Sequence, residues 1–197
     1  MKTYPRQSQV SQETSTRPQI PRSEWEQHPH FATQTLLLGS HRGFREISRM
    51  LIEAARNGED VYRIEGSFHY WQSGMRGHEG YEEGKLFPYL SKKYSVSMDH
   101  LEEGHEQLHA LKAEVFASFK RLAGYRDTPK GDAEEAAART AVVEALQAYD
   151  ALLNEHLAEE EEWVIPMLLE LEPEEFETYY RSPIGYLLRR LDEQSTQ

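Results

Sequence analysis

Nine histidines occur in this chain of 197 residues, and seven of them fall in stretches that read as helix. Three are followed four positions later by a second metal-ligating side chain: His78 by Glu82, His105 by His109, and His156 by Glu160. At 3.6 residues per turn, that spacing puts both side chains on one face, one turn apart. Such a pair can hold a metal ion without bending the backbone. His41 stands alone on its helix, between Leu37/Leu38 and Phe44, on the stripe that should face the core. The candidate ligands are thus His41, His78, Glu82, His105, His109, His156 and Glu160, five imidazoles and two carboxylates. One octahedral ion would have a ligand too many. Two ions, bridged by the carboxylates and a solvent-derived oxygen, would use all seven and keep one position open. Mixed imidazole and carboxylate suits iron better than calcium, magnesium or structural zinc, and manganese or mixed pairs fit the same donors.

The other histidines supply the contrast. His69 lies nine residues before His78, about half a turn round the helix, and His100 lies five before His105, roughly 140° away. Neither should reach the centre, and His28 and His30 sit near the N-terminal tail. His41 by itself would read as a buried, hydrogen-bonded histidine. Five buried histidines with acids nearby would be costly without metal, because buried polar groups need partners. Trp71 and Tyr149, each seven residues before a ligand histidine, read as ordinary core, as do Met75, Phe116, Leu152 and Leu153.

Helices must position these residues, and four are predicted. The first runs from about Phe31 to Arg56 and stops at Asn57-Gly58. The second runs from about Asp60 to Leu86 and breaks near Pro88. Ser97 is the expected N-cap of a third, Met98 to Ala123, which ends at Gly124. A loop covers 124–131, and Asp132 then caps a fourth helix reaching Pro166 or slightly beyond. No strand pattern is visible, so the expected fold is an all-α, antiparallel up-down four-helix bundle. Residues 1–29 are polar and proline-bearing and read as a flexible tail, 30–172 as the bundle, and 173–197 as a C-terminal helical extension. In that extension Ser182-Pro183 opens a short helix, Ile184 to Leu191.

Composition narrows the chemistry further. Net charge is −12, which repels nucleic-acid phosphates and anionic lipid, so neither nucleic acid nor membrane is expected as a partner. There is no cysteine, which excludes disulfides, thiolate nucleophiles, cysteine-type zinc sites and cysteine-ligated iron–sulfur clusters. The opening residues lack the apolar run of a signal peptide, and the expected location is the cytoplasm.

An internal repeat sharpens the picture. Residues 78–88 read HEGYEEGKLFP and residues 156–166 read HLAEEEEWVIP. Both fit His-x3-Glu-Glu-x2-apolar-apolar-Pro. Acids fill 34 of 197 positions, so an acid at +4 from a histidine arises by chance about once in six, whereas the whole repeat does not. The order of His41, the first repeat, HxxxH at 105–109 and the second repeat resembles the hemerythrin and HHE cation-binding family over roughly residues 31–170. The resemblance implies a non-haem centre of two iron ions, with Glu82 and Glu160 and an oxo or hydroxo group as bridges. His41 and His78 would hold one iron, and His105, His109 and His156 the other. The iron with two histidines would carry the open position, where the family binds dioxygen or a related small ligand.

Two departures leave alternatives open. Oxygen-carrying hemerythrins resemble HxxxxD on the last helix; here Glu161 at +5 competes with Glu160 at +4. Glu79 directly follows His78 and is a further acid that would displace His109 or fill the open site. The resemblance implies a carrier or sensor responsive to oxygen or iron. A second reading is a di-iron enzyme acting on peroxide or activating oxygen. A third, nitric-oxide protection or iron-centre repair, fits less well, because those relatives resemble a bundle preceded by a cysteine-bearing segment. Whether the protein is an enzyme, which protein partner it has and its oligomeric state are not fixed by the sequence.

Overall fold

The computed structural model describes residues 17–125 and 133–180 of the chain. Local chemistry explains most boundaries. A short helix α1 (Phe31–Gln34) precedes α2 (Leu37–Arg56). The expected single helix from Phe31 is therefore interrupted at Thr35, whose hydroxyl donates to the Phe31 carbonyl at 2.6 Å. Helix α2 ends at Asn57, and Gly58 takes φ 73°, a left-handed conformation that glycine adopts without a Cβ penalty. Asp60 caps α3 (Val61–Tyr81), accepting from the Tyr62 and Arg63 backbone N–H groups.

Here the structure departs from expectation. The helix does not break at Pro88. It widens into a π turn over Glu82–Leu86 and continues as α4 (Phe87–Tyr94). The wider turn gives the Pro88 ring room against the carbonyl four residues back, which in a regular helix it would strike. Helix α4 ends at Ser95, with φ 54°.

Helix α5 (Asp99–Ala123) begins after Ser97, whose Oγ accepts from the Asp99 N–H at 3.1 Å. Helix α6 (Ala133–Leu169) is 37 residues long and runs through Pro166. Helix α7 (Pro173–Tyr180) follows. The predicted cap Asp132, most of the predicted 124–131 loop and the predicted helix Ile184 to Leu191 lie outside the described residues. Among the described residues there is no strand, and no helix is long and apolar enough to cross a membrane.

The N-terminal stretch does not match a free tail from residue 17 onward. Residues Arg22–Gln27 form a 3₁₀ helix, and Trp25 is buried in the core with its Nε1 donating to the Ile20 carbonyl. One large indole supplies enough apolar area to dock a polar segment that composition alone reads as unstructured. Residues 1–16 lie outside the described residues.

Two apolar clusters fill the bundle, and a polar layer separates them. The first contains Leu51, Phe68, Trp71, Met75, Leu108, Phe119, Tyr149 and Leu153. The second contains Trp25, Leu86, Phe87, Leu90, Leu101, Val164 and Ile165. On α2 and α5 the chain passes from the second cluster to the first, through His41 and His105 respectively. On α3 and α6 it passes from the first to the second, through His78 and Glu82, then His156 and Glu160. The histidines and glutamates therefore form one stratum in an otherwise hydrophobic interior.

Candidate metal centre

Each side chain of the stratum is delivered by helical spacing from a different direction. His41, Glu82 and Glu160 are fully buried; His105 and His156 are nearly so, and His78 is 11% exposed. Two groups of potential ligand atoms come within 4.8 Å of one another. One is His41, His78, Glu82 and Glu160; the other is His105, His156 and Glu160. Glu160 belongs to both. The Nε2 atoms of His41 and His78 face each other at 3.1 Å, and His78 Nε2 stands 2.8 Å from Glu82 Oε1. Glu82 Oε2 is 3.5 Å from His105 Nε2, so Glu82 also touches the second group. Glu160 Oε2 lies 3.5 Å from His41 Nε2 and 3.8 Å from His156 Nε2.

Electrostatics identify what this arrangement lacks. Both oxygens of Glu82, both of Glu160 and the Nε2 of His156 are buried and make no well-formed hydrogen bond, although His78 Nε2 stands close to Glu82 Oε1. Orphaned buried carboxylates are expensive, and they relieve the cost by keeping a proton or by binding a cation. Burial pushes the Glu82 carboxyl up to about 8 and Glu160 well above its usual range, the latter also because Glu82 is beside it. Burial, aided by the neighbouring His105, His41 and His78, pulls His156 down to about 3, and burial lowers His78 as well. Burial thus favours neutral His78 and His156, and the neutral imidazole is the form that ligates metal. Nitrogen and oxygen donors converging on unsatisfied positions fit metal ions, and the residues present suit the centre.

Six of the seven sequence-predicted ligands, His41, His78, Glu82, His105, His156 and Glu160, fall in the two groups, and Glu161 does not. Glu161 points elsewhere: its Oε1 accepts from His41 Nδ1 at 3.1 Å and from Arg45 at 2.7 Å, and its Oε2 from Arg22 at 2.6 Å. Burial alone would raise its carboxyl, but the hydrogen bonds from His41, Arg45 and Arg22 outweigh burial and hold it down at about 2. The seventh, His109, is not brought into either group. His109 is 46% exposed, with its Nε2 2.8 Å from Glu79, which is itself buried. Glu79 thus pairs with His109 and is likewise outside both groups.

His69 is exposed, and the His100 ring packs on Trp163 at 4.3 Å between centroids, as their rotation away from the centre requires. His30 Nδ1 lies 2.9 Å from the Leu169 carbonyl. Trp71 and Tyr149 are core residues in contact with each other, and Gln72 donates to the Tyr149 hydroxyl at 2.9 Å. Sequence reasoning did not single out Gly104. A Cβ there would stand 2.3 Å from His156 Nδ1, so only glycine lets α5 approach the ring this closely.

Among the described residues, the fold and the stratum define a helical protein with a buried histidine–glutamate cluster that could hold a metal ion. The hemerythrin HHE cation-binding domain matches residues 33–175, and the chain belongs to that family. No curated protein and no solved structure matches the chain.

Proposed function

We propose that this is a non-haem di-iron protein that binds dioxygen or a related small ligand, as a carrier or sensor responsive to oxygen or iron. The observation that carries the reading is Glu160. It is fully buried, its oxygens receive no hydrogen bond from a donor of good geometry, and it is shared by two groups of ligand atoms. A carboxylate between two nitrogen-rich groups is suited to bridge two cations. In this reading His41 and His78 serve one iron and His105 and His156 the other, with Glu82 and Glu160 as bridges. His109, one turn beyond His105, completes the set by leaving Glu79. The helices form an antiparallel up-down bundle; the alternating order in which α2, α3, α5 and α6 cross the two apolar clusters supports this.

When bound, two irons supply reversible electron transfer to a small oxidising ligand. The chain's own contribution is to present neutral imidazoles, hold two carboxylates out of water and wall the stratum with apolar side chains above and below. One observation favours an enzyme as the second reading. The Glu79–His109 pair runs from a half-exposed imidazole to a buried carboxylate next to His78, a short route for a proton.

The test is metal analysis of aerobically purified protein, with optical spectra after reduction and after re-exposure to oxygen. Two irons per chain and a band that returns with oxygen support the carrier or sensor reading. Bleaching with loss of peroxide points to the enzyme. Protein that takes up no iron sinks the reading.

A further inference from the structure

The acid at +5 in each repeat, directly after the one that joins the cluster, has a partner on a different helix. Glu161 on α6 meets His41 on α2, Oε1 to Nδ1 at 3.1 Å. Glu83, in the π turn after α3, meets His105 on α5, Oε1 to Nδ1 at 2.8 Å. In each case the opposite nitrogen of the same ring faces the cluster. His41 Nε2 is 3.1 Å from His78 Nε2, and His105 Nε2 is 3.5 Å from Glu82 Oε2.

We propose that Glu83 and Glu161 are positioning residues, each orienting a ligand histidine of a neighbouring helix, so that each repeat braces the group to which its own histidine does not belong. This rests on the reading of the stratum as a metal centre. A neutral imidazole carries one N–H. When Nδ1–H donates to a carboxylate, Nε2 is left bare, directed and more basic, which is what a metal requires. A position five residues past a histidine is rotated roughly 140° from it, away from its own cluster and toward the adjacent helix. His78 belongs to the group of His41, yet its repeat supplies the brace for His105. His156 belongs to the group of His105, yet its repeat supplies the brace for His41.

The two braces differ in rigidity. Both oxygens of Glu161 are taken, by His41 and Arg45 on one and by Arg22 on the other, and its side chain is 1% exposed. Arg22 belongs to the 3₁₀ helix that Trp25 anchors, so the N-terminal segment is part of the brace. Glu83 is 44% exposed, and solvent competes for its oxygens.

The test begins on the metal-free full-length chain at neutral pH, with long-range proton–nitrogen spectra of the imidazoles. His41 and His105 are expected as Nδ1–H tautomers. Glu161→Gln should disturb His41 alone, and Glu83→Gln should disturb His105 alone. Iron(II) competition against a chelator then gives the consequence. Glu161→Gln should weaken one of the two ions by roughly 10–100-fold, and Glu83→Gln the other by roughly 10-fold or less. Arg22→Ala, which leaves Glu161 in place, should weaken the first ion a few-fold, and the exposed Glu159→Gln should change neither. Unchanged tautomers in the variants, or equal weakening of both ions by either single change, would overturn the proposal. Failure of the wild-type chain to take up iron would overturn the metal-centre reading instead. The tautomer spectra, recorded without metal, keep the two failures apart.

Discussion

Residues 78–88 and 156–166 carry the same motif, yet the chain leaves the stratum differently at each. In the first repeat the backbone yields: the helix widens into a π turn, and Pro88 sits at the start of a regular helix again. In the second the backbone stays regular through Pro166. That proline has no N–H to give the carbonyl four residues back, that of Glu162, and Arg17 Nη1 donates to it at 2.8 Å instead. One proline is absorbed locally and the other by a cation 145 residues away in sequence. The acids follow suit. Glu161 is sealed by the N-terminal segment that brings Arg17 and Arg22, whereas Glu83 faces solvent. The same motif can therefore produce one rigid half of a site and one adaptable half, depending on what covers it.

The widest separation should come from the shared carboxylates. Glu160 belongs to both ligand groups, so on the proposed di-iron reading Glu160→Gln should lower iron from two per chain to below one. The loss of affinity should exceed the roughly 10–100-fold of a change outside the ligand shell. Glu82→Gln should remove less, and the ratio is read by metal content after gel filtration. A greater loss from Glu82→Gln would reverse the ranking of the two repeats.

Glycines give the next effect. Gly104→Ala drives a Cβ against His156, and the metal-free protein should lose about 1–3 kcal/mol in denaturant unfolding. Gly80, inside the first repeat, has open space around the added carbon, and Gly80→Ala should gain up to about 1 kcal/mol. Equal responses would mean that the second repeat is no tighter than the first.

Proton linkage separates the +4 and +5 acids. The Glu82 carboxyl is raised from 4.5 to about 8 in the folded, metal-free chain. Its contribution is complete below 4.5 and is lost as pH climbs through 8. His156 is lowered from 6.5 to about 3, so its contribution is lost as pH falls from 6.5 through 3 and is steady above that window. Metal-free melting temperature should therefore decline from pH 6.5 upward through pH 8, and Glu82→Gln should flatten the decline. Glu161, held at about 2, acts in the opposite direction, losing its contribution as pH falls from 4.5 through 2. A metal-free chain whose stability is flat across pH 6.5 to 8 would contradict the burial of Glu82.

The smallest effect tests how Pro166 is compensated. Arg17→Ala should cost about 1 kcal/mol in the natural chain, the usual scale of one hydrogen bond. In a Pro166→Ala background the restored N–H serves the Glu162 carbonyl, and the same change should cost almost nothing. Equal costs in both backgrounds would detach Arg17 from the proline.

Much of this was legible in the sequence because helical spacing is local. The pairing of His78 with Glu82 and of His156 with Glu160 follows from residues one turn apart, and the rotation that excludes His69 and His100 follows from the same arithmetic. What was not legible depends on register between helices. An acid at +5 points off its own helix, so neither Glu83 nor Glu161 could be matched to its histidine without knowing which helix stands beside it. The doubled glutamate common to both repeats was the available signal. Spacing also put His109 on the face of His105, but it could not reveal that Glu79 stands 2.8 Å from the same ring. The π turn was hidden because proline reads as a break unless the preceding turn can widen, and the docking of residues 17–27 hung on one tryptophan in a polar stretch.

The reach of Arg17 and Arg22 also bears on how the protein is made. These residues are synthesised before any of the long helices, and their partners Glu161 and Glu162 lie near the end of the last of them. A nascent chain that has released only α2 to α5 would offer iron His41, His78, Glu82 and His105, but neither the shared carboxylate of Glu160 nor the brace on His41. On the metal-centre reading, the full donor set exists only once the last long helix has been made, not when the first ligands appear.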